Sequence, residues 1–449
     1  MTVATVPVGR ELGEFVAGLA DGPLPSAVVA KLRCNLLHDL TCAMAAAAEG
    51  EAVWATVRGR GPAEATLLVD GERVDAEDAA FANGALMHTR AQDDTHFAAK
   101  THVGSAVIPA ALALAEREGA DGAAFVRAVA AGCEVAAAVG ERLTAVSTRR
   151  GFRASSIFGP LGAAAAGASL LGLDAERTSN AIAIAASLSG GLNQTWIDGT
   201  SEYRLELGMA ARHGVHAARL AAGGFSGAPH WYEGAAGFMN AFAGAGTDAE
   251  AGPWDLGERW RVLDVTYKPH PVCAITQSAV QVAIDLAQRH DVDPDDVVAV
   301  RVHLNPDDRE YPGTVNAGPF GDVAATLMSA QFCVAMALTD RAATLAGLRR
   351  FDDPGLGRLV SVTEILGDGE LPSLAGRVEV DLASAGTISG ELIPDEETYG
   401  WDWQGVLANV VRLEPEIPAG RERLDELERA IAGVAELPSV APLVAGTLA

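Results

Sequence analysis

Lysine is nearly absent from this chain. Among 449 residues only Lys31, Lys100 and Lys268 occur, so almost every cation is an arginine. Positive charge as a whole is scarce: 33 Lys plus Arg stand against 59 Asp plus Glu, a formal net charge of −26. That balance excludes nucleic acid as a partner, because such binding rests on Lys and Arg neutralising phosphates. It equally excludes docking on an anionic membrane surface. Long hydrophobic runs are missing too; Ile182–Leu188 falls far short of the ~20 residues that span a bilayer. No basic stretch followed by an apolar one opens the chain, so no secretory signal is expected. The cysteines, Cys34, Cys42, Cys133, Cys273 and Cys333, are odd in number and widely spaced, without a CxxC pair. They read as buried free thiols in a reducing cytoplasm, not as a disulfide framework. GxxxxGK[ST], GxGxxG after a strand, HExxH and GxSxG are absent, Gly244-Ala245-Gly246 being no match. NTPase, dinucleotide, zincin and α/β-hydrolase chemistries lose their usual signatures.

What remains is aliphatic and small: hydrophobic residues are 49%, aromatics 5%, and glycine occupies 49 positions. The length accommodates two or three domains. Up to about Gly246 the pattern is helical, with apolar residues at 3–4 spacing over Ala27–Ala48, Ser105–Glu118, Ala123–Leu143, Gly162–Leu171, Ala175–Leu188 and Gly208–Ala222. Helices apolar almost all round, as at Gly162–Leu171, belong inside a multilayer bundle. Between them Val53–Val74 reads as a short hairpin of Ala55–Val57 and Ala65–Val69. After Gly252–Arg261 the period changes. Val298, Val300 and Val302 alternate as in a half-buried strand, and Val378–Leu382 with Thr387–Leu392 form a hairpin around Ala383–Gly386. Helical segments Ala274–Ala287 and Ala324–Ala337 lie between. The expected organisation is a helical domain over 1–260, an α+β domain over 266–400, and a segment 401–449 whose helix Gly420–Leu437 packs back on the first domain.

The densest polar cluster is Gln92-Asp93-Asp94-Thr95-His96, followed by Lys100-Thr101-His102. His102 precedes Gly104-Ser105, where Ser105 reads as an N-cap with Pro109 in the first turn. A helix N-terminus favours a neutral imidazole, so His102 is a candidate general base, which two adjacent carboxylates would orient. A solvated loop with a capping residue accounts for the same composition. Asp93, Asp94, His96 and His102, or His213 with His216, are possible metal ligands, but no recognised ligand spacing is matched and no metal is assigned. Arg149–Arg153, Ser201–Glu206 and Tyr267–Cys273 each place basic or titratable groups just before a helix, where an anionic ligand is favoured.

In this order, several stretches resemble the MmgE/PrpD family: residues 38–47 (HDLTCAMAAA), 79–96 (AAFANGALMHTRAQDDTH), 101–116 (THVGSAVIPAALALAE), 130–143, 151–174, 207–227, 267–274 (YKPHPVCA) and 329–338. The family includes 2-methylcitrate dehydratases, cis-aconitate decarboxylases and iminodisuccinate epimerases. The resemblance implies a mainly α protein: a large helical domain plus a smaller α+β lid, usually a homodimer. An interdomain cleft would bind small polycarboxylates without metal or organic cofactor. The DFDDTH-type motif is matched at Asp93, Asp94, Thr95 and His96, with Ala91 at its first Asp. The active-site histidine of the THPGS-type motif falls on His102, and Val103 stands at its proline. The GFH histidine is Arg153. In the Lys-x-Leu-His motif the lysine is Tyr203 and the histidine Glu206, with Arg204 between. Lys268 retains the lysine of K-x-x-P-x-C, and Gln277 replaces the later histidine.

The resulting expectation is a cofactor-independent lyase of hydro-lyase type, acting on a small di- or tricarboxylate or a related acid. An isomerase, epimerase or cyclase, or an inactive binding paralogue, are the alternatives. His102 would be the base, Lys268 or Tyr203 the acid, with Asp93 beside them. Thr95, Asp94, His96, Arg153 and Arg204 would bind substrate. Together with Lys100, Arg149 and Arg150, these cations are expected to form a local basic pocket in an acidic shell.

Overall fold

Small side chains dictate how the helices of this protein meet. A computed structural model describes residues 6–244 and 254–449; the expected boundaries at Gly246 and Gly252 lie outside the described residues. Helix Ala154–Leu170 is buried along nearly its whole length against Gly122–Arg149, Val103–Glu118, Ala175–Ser187 and Glu202–Ala222. A Cβ on Gly162 would lie 2.5 Å from the carbonyl oxygen of Gly132, and one on Gly214 2.2 Å from the Ala163 Cβ. Only hydrogen fits at such points, so these helices pack backbone to backbone and alanine supplies most of the contact. Helix Gly122–Arg149, with 28 residues, is long and apolar enough in composition to cross a membrane. Its apolar window is 83% buried against neighbouring helices, as in a core helix.

The expected hairpin over Val53–Val74 is half right. Ala65–Thr66 pairs antiparallel with Arg73–Val74, but Ala55–Val57 is a turn following helix Glu51–Trp54. Helix Val103–Glu118 begins earlier than its sequence suggests: His102 is the N-cap residue, Ser105 lies inside the first turn, and Pro109 sits a turn deeper. Likewise Ala154–Leu170 carries Pro160 inside it, and Glu202–Ala222 takes Tyr203, Arg204 and Glu206 into its first turns. Ala324–Ala337 is broken at Ser329, whose hydroxyl accepts the Phe332 N–H and starts a new helix, Ala330–Asp340.

The second region is built on a four-stranded sheet in the order Thr363–Gly367, Val297–Leu304, Gly376–Leu382, Gly386–Leu392. The first pair is parallel and the other two antiparallel. Helices Gln277–Arg289 and Ala330–Asp340 cover one face, burying Val300, Val302, Val378 and Val380. A register shift between Val297 and Ala299 turns Val298 outward, 57% exposed, against the alternation expected from the sequence. The chain then returns: helices Trp403–Leu413 and Gly420–Ala432 pack on Ser26–Ala45, where Leu424 and Leu427 join Leu36 and Leu40 in one core.

One short pairing matters more than its size. Thr95–His96 pairs antiparallel with Val265–Thr266, and the Thr266 hydroxyl donates to the Thr95 carbonyl at 3.0 Å. This links the polar loop of the helical part to the segment that carries Lys268.

Candidate active site

The polar loop connects helix Ala76–His88 to helix Val103–Glu118, so a histidine stands at each end of it. The two ring centroids lie 4.6 Å apart, with the ring planes tilted by 54°. Both line a cavity of about 130 Å³ between the helical part and the second region, as do Thr95, Lys100, Arg153, Ser155, Trp196 and Lys268. From the second region come Ile275, Asp308, Tyr311, Leu327, Met328 and Leu374. His102 and Lys268, 166 residues apart in the chain, thus share one wall.

Hydrogen bonds decide the state of each histidine. His102 Nδ1 lies 2.7 Å from the Asp94 carbonyl oxygen, which only accepts, so Nδ1 carries the proton and Nε2 keeps its lone pair. The His102 backbone N–H donates to Ser155 Oγ at 3.0 Å. Arg153 Nη2 donates to His88 Nε2 at 2.5 Å, which makes His88 Nδ1 the donor to Asp93 Oδ2 at 2.8 Å. Burial holds both imidazoles below their ordinary range, most strongly His102, and Lys268 reinforces this while Asp93 opposes it. Both shifts favour the neutral imidazole.

Asp93 is the hub behind the cavity. Its Oδ2 accepts from His88 and, at 2.5 Å, from Ser105 Oγ, and lies 3.5 Å from His102 Nδ1. Its Oδ1 is 3.8 Å from Lys268 Nζ and has no hydrogen-bond partner among the described residues. Burial opposes ionisation here, but the His88 ring N–H bonded to it and the nearby Lys268 ammonium outweigh it and hold the carboxyl well below the usual carboxylate range. Lys268, 2% exposed, donates to the Ala91 carbonyl. Ala91 is in the left-handed region, with φ of 48°, a turn that brings this carbonyl to the ammonium.

Several expected substrate contacts lie elsewhere. Asp94 is beneath the cavity: its carboxylate oxygens accept the Gly104 N–H at 2.9 and 3.0 Å, and its own N–H donates to Asp39. Burial, then the neighbouring Asp93, push its carboxyl up to about 8, and Asp39 is pushed well up for like reasons. His96 is buried; its Nδ1 accepts the Ala99 N–H and its Nε2 points towards Glu141 at 3.7 Å. Tyr203 does not line the cavity either. Its hydroxyl donates to the Thr89 carbonyl at 2.5 Å, and burial pushes it up, so it is not positioned as a proton donor to substrate. Arg204 turns to Glu49 at 3.8 Å in a separate small pocket, and Arg150 donates to the Ala241 carbonyl. The basic pocket expected from these arginines does not form.

Arg153 does reach the cavity, but not as a free anchor. Its Nη1 donates to Glu206 Oε2 at 2.9 Å and to the Tyr203 carbonyl, and its guanidinium lies 4.8 Å from the Trp196 ring centroid. Glu206 also accepts from Ser156 Oγ and Leu192 N–H. The two positions where the sequence departs from GFH and from Lys-x-Leu-His therefore meet as one ion pair. His88 and Tyr311 were missed by sequence reasoning. His88 lies only five residues before Asp93, at a helix C-terminus, whereas nothing local marks Tyr311.

His88, Asp93 and His102 each offer a ligand atom within a 4.8 Å group, as do His96, Glu141 and Asp264. In the first group Arg153 already donates to His88, and Lys268 adds a second positive charge. In the second, Arg259 and Arg261 occupy the Glu141 carboxylate. Neither environment suits a cation.

A model of the MmgE/PrpD N-terminal domain matches residues 10–250, and one of the C-terminal domain matches residues 270–382. The chain belongs to the MmgE/PrpD family. Within it, this protein is similar to the cis-aconitate decarboxylase of Aspergillus terreus, 25% identical over 97% of this chain and 95% of the relative. It is 36% identical to human cis-aconitate decarboxylase over 33% of this chain and 31% of the relative. A cis-aconitate decarboxylase-like protein oryM of Aspergillus oryzae is 27% identical over 59% of this chain, which spans 58% of that relative's length. These relatives support a lyase- or dehydratase-type role at the level of the family.

Proposed function

We propose that this MmgE/PrpD protein is a lyase that needs no cofactor and removes a proton from the carbon α to a carboxylate of a small acid. The observation that carries this reading is His102: its Nδ1–H is committed to the Asp94 carbonyl, which leaves Nε2 as the basic atom in the cavity. When Nε2 takes a proton, the imidazolium forms 3.5 Å from Asp93, which stabilises the charge. Lys268 borders the same cavity, and unlike the arginines it can both balance an enolate and return a proton. The enolate then expels a β-hydroxyl, which takes a proton from Lys268 and leaves as water, completing a lyase reaction. Reprotonation by Lys268 instead yields an epimer, and the presence of two proton-carrying groups on one cavity keeps the isomerase as a second reading.

The test is deuterium incorporation from D₂O into a panel of small carboxylic acids, followed by proton NMR. Exchange at Cα that disappears in His102→Gln is the expected outcome. Exchange or turnover unchanged in His102→Gln rejects His102 as the base. No exchange with any acid in the panel favours a binding paralogue.

A further inference from the structure

We infer that Glu416, on the segment that returns from the second region, is a positioning residue for Lys268. The inference rests on the proposed reaction, in which Lys268 balances the enolate, and adds to it a residue that does not line the cavity. Glu416 ends a short turn, Glu414–Glu416, that follows helix Trp403–Leu413. The link to the site is Arg90, whose guanidinium is 0% exposed. Its Nη1 and Nη2 donate to the two Glu416 carboxylate oxygens at 2.8 and 2.9 Å, a bidentate pair that fixes the plane of the fork. Nη1 also donates to the Ala45 carbonyl at 3.2 Å, and Nε to Gln92 Oε1 at 3.1 Å.

Arg90 and Gln92 flank Ala91, whose carbonyl accepts from the Lys268 ammonium. With φ at 48°, Ala91 holds a left-handed conformation that alanine does not favour, so its surroundings must hold it there. Gln92 makes a second connection: its Nε2 donates to the carbonyl of Pro269, next in the chain to Lys268. The Arg90 fork therefore steadies both the acceptor of the ammonium and the backbone that carries the lysine. A parallel route starts on the same returning segment. His38 Nε2 donates to the Gln92 carbonyl at 2.8 Å, which leaves Nδ1 to accept from Asn409 Nδ2 at 3.4 Å. Without the Glu416 charge the fork loses its anchor, and the Ala91 carbonyl and Lys268 Nζ shift together. Displacements of about 1 Å at a reacting group are enough to cost about a hundredfold in rate.

The scarcity of lysine makes the test direct. In the full chain labelled with [ε-¹³C]lysine, Lys31, Lys100 and Lys268 give the side-chain NMR signals, assigned by Lys31→Arg and Lys100→Arg. In Glu416→Gln the Lys268 signal is expected to move. The maximal rate of deuterium exchange, on the acid that the wild type exchanges fastest, is expected to fall about ten- to a hundredfold. KM for that acid is expected to stay within about threefold, because the enolate needs Lys268 more than the bound acid does. Glu116→Gln is the control: it breaks another ion pair, with Arg73 at 3.0 Å, whose residues do not line the cavity, and is expected to change neither readout. A Lys268 signal that stays in place, or exchange at the wild-type rate in Glu416→Gln, overturns the inference, as does an equal effect of Glu116→Gln. If Glu416→Gln does not fold, Arg90→Met combined with it, which strands no charge, carries the same expectation. Signal and exchange separate the two claims: a displaced Lys268 in a chain that exchanges no acid refutes the proposed reaction and leaves the positioning standing. Exchange that Glu416→Gln leaves unchanged does the reverse.

Discussion

Asp93→Asn tests the centre of this arrangement. The carboxylate is fully buried, and its Oδ2 gathers the His88 ring N–H at 2.8 Å, the Ser105 hydroxyl at 2.5 Å and, more distantly, His102 at 3.5 Å. Asparagine keeps one accepting oxygen for those donors but turns an amide N–H₂ towards Lys268 Nζ, which stood 3.8 Å from a carboxylate oxygen. Two losses follow. The first is stability, since a buried ammonium left without its counter-charge costs about 3–5 kcal/mol. The second is catalysis. A full charge at the 3.5 Å separation of Asp93 and His102 is worth at most about 5 kcal/mol at an effective dielectric near 20. The Asp94 carbonyl remains to orient the ring, so about 2–4 kcal/mol is expected to be lost, a fall of roughly 30- to 1000-fold in rate. The sign of the pH effect is fixed as well. Asp93 opposes the downward shift of His102, so its removal moves the His102 limb of the pH–rate profile further towards acid. The assay is deuterium exchange into the acid substrate as a function of pH, with thermal unfolding measured alongside. Exchange at the wild-type rate with an unmoved limb would refute the role given to Asp93.

Two further substitutions probe the corrections that the fold imposes. Tyr203→Phe removes a hydroxyl whose contact is the Thr89 carbonyl, so the exchange rate is expected to stay within about threefold, while stability falls by about 1–3 kcal/mol for an unsatisfied buried acceptor; a hundredfold loss of exchange without unfolding restores Tyr203 as the acid. Asp94→Asn removes a carboxyl that burial and Asp93 push up to about 8. The unfolded chain ionises this group from about pH 4 while the folded chain resists until its own higher value, so wild-type stability is lost as pH rises across that window. The melting temperature of the variant relative to wild type should therefore climb from about pH 4 to about pH 8, and a difference that is flat or falls across this window contradicts the buried, protonated carboxyl.

The helical region was legible because its signal is local. Alanine and leucine at 3–4 spacing announce Ala175–Ser187 or Gly122–Arg149 without any knowledge of their neighbours. Element ends were read less well, and for physical reasons. Pro109, expected in a first turn, lies inside a helix that begins earlier, at Val103, and the helix expected over Gly162–Leu171 begins at Ala154. The strand at Val297–Leu304 was visible, but not the irregularity that exposes Val298, since that depends on the partner strand Gly376–Leu382. At the site, His102, Asp93, Thr95 and Lys268 stood out by residue type and motif. The partners of Arg153, Tyr203 and Arg204 did not.

The sequence by itself determined the composition of the cores, the helical character of the first region, the mixed α and β character of the second, and the family. These follow from side-chain size, periodicity and local motifs, which the chain carries at every position. Only the tertiary structure decided what the charges do. Whether Arg153 is an anchor or one half of an ion pair depends on Glu206, 53 residues away and a turn inside another helix. Whether Lys268 serves His102 depends on the strand pairing between Thr95–His96 and Val265–Thr266. An electrostatic role is a property of distance and burial, and neither is written in the order of the residues.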